Sequence, residues 1–150
     1  MALIFLNFTT CPLCGEVIKE GQEYTGFPPL TGNELDELHI FSDAGVHLSC
    51  LRQHPSCEKA EKYRELATEN NHRCNICGEI IERPDEYVGF GILTSDPGEL
   101  LHDFNFFRLH RKHLPDWPDR QRFLALAATF LQQGKWSGYP VLQMLMAELS

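Results

Sequence analysis

The sequence predicts an α+β protein in which one small unit, a cysteine knuckle followed by a β-hairpin and a helix, is written twice and followed by a C-terminal helix. Three observations predict it. Sliding the chain against itself by 63 residues aligns 11–71 with 74–134 without a gap, and 17 of the 61 aligned positions are identical. Each copy opens on the same phrase, "CPLCGEVIKEGQEYTGF" at Cys11 and "CNICGEIIERPDEYVGF" at Cys74. Each then supplies a second pair, His47 with Cys50 and His110 with His113, after the same 32-residue interval. An ungapped register that matches all of these positions marks a duplication. The expected organisation is a first repeat over 1–73, a second over 74–134, and an extension over 135–150 that packs on the second.

Each element follows from local chemistry. The apolar run Ala2–Leu6 in "MALIFLNFTTC" has no basic residue before it and is too short for a signal-peptide core or a membrane span, so it reads as a strand. In C-x-x-C-G, Gly15 or Gly78 allows the tight turn that aims backbone amides at the sulfurs. "EYTGFPPLTG" and "EYVGFGILTS" place aromatic and β-branched residues between turn formers, which predicts the hairpin. Looser acidic connections follow, "NELDEL" and "DPGELL". Ser56 and Asp119, each just after a proline, are N-caps for the closing helices. In the first helix Cys57, Ala60, Tyr63 and Ala67 share one stripe, so it should lie on a surface. The second, "DRQRFLALAATFLQQG", is apolar on most faces from Phe123 to Leu131 and stops at Gly134. It needs cover, which Val141, Leu142, Leu145 and Leu149 offer after Pro140. The two copies are expected to share a core.

Copy one presents Cys11, Cys14, His47 and Cys50; copy two presents Cys74, Cys77, His110 and His113. Zinc takes four nitrogen or sulfur ligands in a tetrahedron, and two local x-x pairs supply them. A disulfide framework fits worse, because the two cysteines of copy two face histidines. The expected cofactors are two structural Zn²⁺ ions, each with four protein ligands and no position open to substrate. His54 and Cys57 repeat the H-x-x-C spacing, but they align with Trp117 and Arg120 and are set aside, leaving Cys57 as a small, free thiol. Zinc binding releases about 10–16 kcal/mol in small zinc peptides, and that is folding free energy. It matches the whole stability of an ordinary domain, about 5–15 kcal/mol. A unit too small to rely on an apolar core can therefore rely on a metal cross-link.

The net charge is −8, with 6 basic and 11 acidic residues over 1–73 and 7 and 10 over 74–150. Five thiolates on two zinc ions would take it near −9. Nucleic-acid binders carry the opposite sign, since Lys and Arg must displace counterions from phosphates. An acidic surface suits a basic protein partner better. Cysteines kept as metal ligands point to a reducing cytoplasm.

At these residues the chain resembles treble-clef zinc modules: knuckle, hairpin, then two ligands at the start of a helix. LIM domains have a similar opening with a shorter interval and typically bind proteins. The long interval is similar to that of the zinc finger of poly(ADP-ribose) polymerases, which recognises DNA ends, although this chain lacks the basic surface such a finger needs. The phrase "CPLCGE…GFP…FSDAGVHLSC" also resembles small uncharacterised bacterial twin-zinc-finger proteins, some of them in toxin–immunity systems. The resemblance spans both repeats through the ligands and the Y-x-G-F phrase; His113 departs from the H-x-x-C form.

Other residues have simpler readings. His39 and His102 recur in phase outside the quartets and should hydrogen-bond the connection to the hairpin. "LHDFNFFRLH" is superficially similar to His-Asn-His nucleases, but copy one has Ser42 where copy two has Asn105. No acidic cluster holds an open catalytic metal, so no enzyme is expected. Glu16 and Glu79 are solvated charges, and Tyr24, Phe27, Tyr87 and Phe90 should form small aromatic cores. "NELDELH", with Glu34, Asp36 and Glu37, is the stretch best placed to meet a basic partner. The leading expectation is a non-enzymatic, zinc-stabilised protein-binding module with a basic partner, in its sharpest form an immunity protein neutralising a basic toxin. The alternative is a nucleic-acid-binding tandem finger using Arg108, Arg111, Lys112, Arg120 and Arg122.

Overall fold

The computed structural model describes residues 2–69 and 71–150. In chain order the elements are β1 (Tyr24–Gly26), β2 (Gly45–His47), α1 (Leu48–Gln53), α2 (Cys57–Thr68), β3 (Tyr87–Gly89), β4 (Arg108–His110), α3 (Arg120–Gln132) and α4 (Val141–Leu149). The fold is α+β, with two separate antiparallel pairs, β1–β2 and β3–β4. Two compact units result: Met1–Thr31 with Glu37–Glu69, and Gly32–Asp36 with Asn70–Ser150. No helix among the described residues is long and apolar enough to cross a membrane.

The duplication is written in the backbone as well as in the letters. Tyr24 pairs with His47 as Tyr87 pairs with His110, and Gly26 with Gly45 as Gly89 with Arg108. Asp43 (φ 52°) and Phe106 (φ 58°) take the left-handed conformation at the same repeat position. A bulky residue rarely adopts it. Both are held by a hydrogen bond from their own N–H, Asp43 to the Pro28 carbonyl at 3.0 Å and Phe106 to that of Gly91 at 2.6 Å.

The antiparallel pair starts where the hairpin was expected but does not close locally. The partner of β1 is β2, beyond the connection 27–44, rather than the adjacent "PPLTG". Pro28 and Pro29 have no N–H to give to a ladder. The chain is pinned instead by side chains. Ser42 Oγ accepts from the Leu30 and Thr31 amides at 2.8 and 3.3 Å. In the second repeat Asn105 Oδ1 accepts from Leu93 and Thr94 at the same 2.8 and 3.3 Å. Two different residues thus do one job.

Three further expectations are corrected. Ala2–Leu6 is not a strand: the chain turns at once, with Asn7 at φ 68° and the Phe5 amide bonded to Thr9 Oγ1 at 2.8 Å. Ser56 and Asp119 stand at the N-cap positions of α2 and α3, but neither side chain caps its helix. The Ser56 hydroxyl donates to Glu37 at 2.9 Å. Tyr24 is 41% exposed and lies outside the aromatic core that buries Phe27.

α2 buries Ala60 and Tyr63. Its Arg64 donates to Thr25 Oγ1 at 2.7 Å and lies over the Phe27 ring, fastening the helix to β1. The second unit has a larger interior. Phe90, Phe104, Trp117 and Phe123 meet edge-on or tilted, and Phe107 stacks on Trp117 at 4.8 Å. α3 adds Ala127 and Phe130, and α4 closes the cluster with Leu142, Leu145 and Leu149. α3 ends in a Schellman turn, with Gly134 (φ 70°) donating to Leu131 and Lys135 to Phe130. Residues 32–36, which the repeat alignment assigns to the first copy, run with this unit. Asn33 bridges to Gly138, its side chain bonds the Lys135 carbonyl at 2.9 Å, and the Asp36 carboxylate accepts from the Ser95 amide and hydroxyl at 2.7 and 2.6 Å.

Candidate metal centres

Each repeat brings its four ligands from three places. The knuckle is a turn closed by Gly15 N–H donating to the Cys11 carbonyl at 2.8 Å, or Gly78 to that of Cys74 at 2.9 Å, with each glycine at φ 76°. His47 and His110 are the last residues of β2 and β4. Cys50 lies in the first turn of α1, whereas His113 lies in a 3₁₀ turn, Arg111–His113. The result is two groups, Cys11, Cys14, His47 and Cys50, and Cys74, Cys77, His110 and His113, whose ligand atoms all lie within 4.8 Å of one another in each group. The burial pattern is also repeated: first cysteine and first histidine buried, second cysteine exposed, fourth ligand intermediate.

The spacings suit a tetrahedral ion. Cys14 Sγ lies 3.4 Å and Cys50 Sγ 3.9 Å from His47 Nδ1, and Cys77 Sγ lies 3.6 Å from His110 Nδ1. A tetrahedron with metal–sulfur and metal–nitrogen bonds of about 2.3 and 2.1 Å has a sulfur–nitrogen edge of about 3.6 Å. His113 Nε2 is the one buried side-chain nitrogen or oxygen without a hydrogen-bond partner among the described residues. Leaving such an atom unsatisfied is costly, and a metal ion would take its lone pair. Each quartet could therefore hold one metal ion, the first with three sulfurs and one nitrogen, the second with two of each.

Electrostatics prepare the sulfurs. Burial pushes the Cys11 thiol up, but the backbone amides of His47, Leu13 and Cys14 and the His47 ring outweigh it and bring it down to about 7. Burial likewise raises Cys74, and the amides of Cys77, His110 and Ile76 with the His110 ring lower it to about 7. Cys50 goes the other way. Burial, the Cys14 side chain and the neighbouring Cys11 and Cys14 charges push it up to about 11. A third thiolate beside two others needs a cation to balance it.

An outer contact escaped sequence reasoning. His47 turns Nδ1 towards Cys14 and Cys50, and its Nε2 lies 3.0 Å from Gln22 Oε1, which also accepts from the Lys19 amide at 2.7 Å. Such a partner fixes the tautomer and the ring orientation of a metal-binding histidine. In repeat register Gln22 falls on Asp85, whose carboxylate is gripped by Arg83 at 2.7 and 3.1 Å. Because the two residues differ in chemistry, the repeat alignment gave no signal.

The remaining candidates are resolved by their contacts. His54 accepts from the Ser56 amide at 3.1 Å and packs edge-on to Phe41, and His54 and Cys57 belong to neither quartet. His39 Nδ1 lies 3.4 Å from the Thr31 carbonyl, tying the connection back towards β1. Asn105 is fully engaged with the backbone of residues 93 and 94. In the acidic stretch, Asp36 is held by Ser95, and Glu37 by Ser56 and Lys59. Of the arginines proposed as a basic strip, Arg108 donates to the Phe106 carbonyl, Arg111 pairs with Glu148, Arg120 donates to the Leu149 carbonyl and Arg122 faces Asp103. No family model matches the chain, and no curated protein or solved structure matches it.

Proposed function

We propose that both quartets hold structural zinc and that the chain is a non-enzymatic binding module of treble-clef type whose partner is a basic protein. The observation that carries this reading is the completeness of the ligand sets. Four sulfur and nitrogen donors close around each centre, and a sulfur-rich tetrahedral set suits zinc above harder divalent ions. A filled coordination sphere has no place for a substrate or an activated water. The net charge of −8 favours a basic partner. The sharpest form of the reading is an immunity protein that neutralises a basic toxin, working in the cytoplasm, where its thiolates stay reduced.

The nucleic-acid alternative needs free cations, and four of the five candidate side chains are already committed to acceptors within the second unit. Two measurements test the proposal. Affinity capture from the native host should recover a stoichiometric basic protein. A gel shift at low salt with duplex, nicked and single-stranded probes should show no salt-sensitive complex; such a complex, with no protein captured, would replace protein binding with nucleic-acid binding.

A further inference from the structure

The second repeat carries a surface cleft of about 480 Å³ lined by His72, Ile80, Ile81, Glu82, Pro84 and Tyr87. Its floor is apolar: Ile81 belongs to the core of the unit, and the Tyr87 ring leans on His72 at 5.4 Å. Ile80 stands at the rim, 55% exposed. Ile80 and Glu82 also line an adjoining polar hollow with Glu79, Arg73 and Arg83. Glu86 lines that hollow too, so three carboxylates face two guanidinium groups; Arg83 pairs with Asp85, and Arg73, bonded to the neutral Gly78 carbonyl, keeps its charge. Glu79 and Glu82 make no ion pair among the described residues. The cleft therefore has a hydrophobic floor and an excess of carboxylates over guanidinium groups along one side.

The first repeat shows what this part of the unit accepts. There the residue in register with Ile81 is Ile18, and the chain's own apolar N-terminal segment runs beside it. The Asn7 amide donates to the Ile18 carbonyl at 2.7 Å, and the side chains of Ile4 and Ile18 both reach the space that a Cβ at Gly45 would take. Ile18 is fully buried, whereas Ile81 keeps 4% of its surface open beside the exposed Ile80. In the second repeat the residues in register with Ala2–Phe5 are Glu65–Thr68, and these form the end of α2. Helical and carrying Glu65 and Thr68, they are no extended apolar strip of that kind.

We infer that the cleft of the second repeat docks a short aliphatic segment of a partner protein flanked by Lys or Arg. The aliphatic side chains rest on Ile80, Ile81 and Tyr87, and the basic flanks meet Glu79 and Glu82. This inference rests on the protein-binding reading above and places its contact surface. Apolar anchors supply most of the affinity at such a site, and rim charges supply register and choice of partner.

The test is a titration of the ¹⁵N-labelled, zinc-loaded full chain with the peptide Lys-Lys-Leu-Ile-Phe-Leu-Lys-Lys, which carries Leu3–Leu6 of this chain between basic flanks. A Glu-flanked version and a duplex DNA oligonucleotide are run in parallel. Saturable shifts at Ile80, Ile81 and Tyr87 are expected with the Lys-flanked peptide, weakened about tenfold or more by Ile80→Ser. Glu82→Lys should reduce the preference for Lys over Glu flanks. Ile80 is exposed enough for its variant to fold, and Glu82→Lys gives a second readout that leaves the apolar floor intact. Peptide shifts that map elsewhere, or that ignore Ile80→Ser, overturn the cleft alone and leave protein binding standing. Shifts from DNA with none from either peptide overturn the protein-binding reading as well. Concentration-dependent shifts of the same residues without peptide would assign the cleft to a second copy of the chain and overturn the proposal.

Discussion

The two repeats share a scaffold and differ in what stabilises it. Both place the knuckle, the antiparallel pair and the closing helix 63 residues apart, down to a left-handed residue at the same turn. The buried aromatic residues of the first are Phe27, Phe41 and Tyr63, whereas the second buries Phe90, Phe104, Trp117, Phe123 and Phe130 and adds α4 over them. The first has three sulfurs around its centre and an outer partner for His47; the second has two sulfurs, two histidines and, among the described residues, no equivalent of that partner. The difference teaches that a duplicated unit can keep its ligand geometry while only one copy grows a larger core.

The sharpest way to break this comparison is to remove one ligand from each copy. Cys14→Ser should cost the first unit most of a zinc cross-link that is worth about 10 kcal/mol in small zinc peptides. Amide exchange should then show residues 2–31 and 37–69 losing protection together. Cys77→Ser should leave slow exchange in α3 and α4, because the aromatic cluster stays packed. Equal collapse in both variants would remove the contrast.

Next in size is the core itself. Phe123 is fully buried among Phe90, Phe104 and Trp117. Truncating such a residue to alanine costs about 3–5 kcal/mol. Phe123→Ala should therefore lower the denaturation midpoint of the second unit in urea while the first site keeps its metal.

Gln22→Leu should weaken metal binding at the first site about 10–100-fold, the usual cost of losing an outer partner of a ligating histidine. Gln22→Glu should restore it, and Asp85→Leu should leave the second site unchanged. Competition with a chromophoric chelator measures all three. Asn105→Ala removes the acceptor for two backbone amides and should cost about 1–3 kcal/mol; Asn105→Ser, the residue that copy one uses, should recover most of it.

The smallest effect is in pH. Without a cation Cys50 holds its proton up to about 11, so metal uptake at the first site must expel it. The second site has His113 in its place and so one thiolate fewer. As pH falls from about 8.5 to about 7, protons compete for one more thiolate at the first site. Affinity there should fall more steeply than at the second site, and two-site chelator competition across that range reads the two slopes separately.

The ligand quartets were legible because metal chemistry restricts both residue type and spacing, and because the sequence states the pattern twice. The burial of α3 and α4 was legible from apolar periodicity. The strand pairing was not, because a three-residue strand such as Gly45–His47 carries no periodic signal and its partner lies beyond a long connection. Gln22, the Ser42–Asn105 equivalence and the docking of residues 32–36 on the second unit depend on side-chain hydrogen bonds to partners distant in sequence, which no local pattern announces. The acidic stretch looked free in sequence, and only the folded chain shows Asp36 and Glu37 with partners.

The central claim is that a closed metal site in each repeat supplies stability that the small apolar interiors lack, most of all in the first. Native mass spectrometry of the purified chain, followed by graded chelation with amide exchange, tests it most directly. Two zinc ions per chain are expected, and their removal should unfold residues 2–31 and 37–69 before the core around Phe123 opens. A metal-free chain, or one that keeps full protection in its first unit after complete chelation, would contradict it.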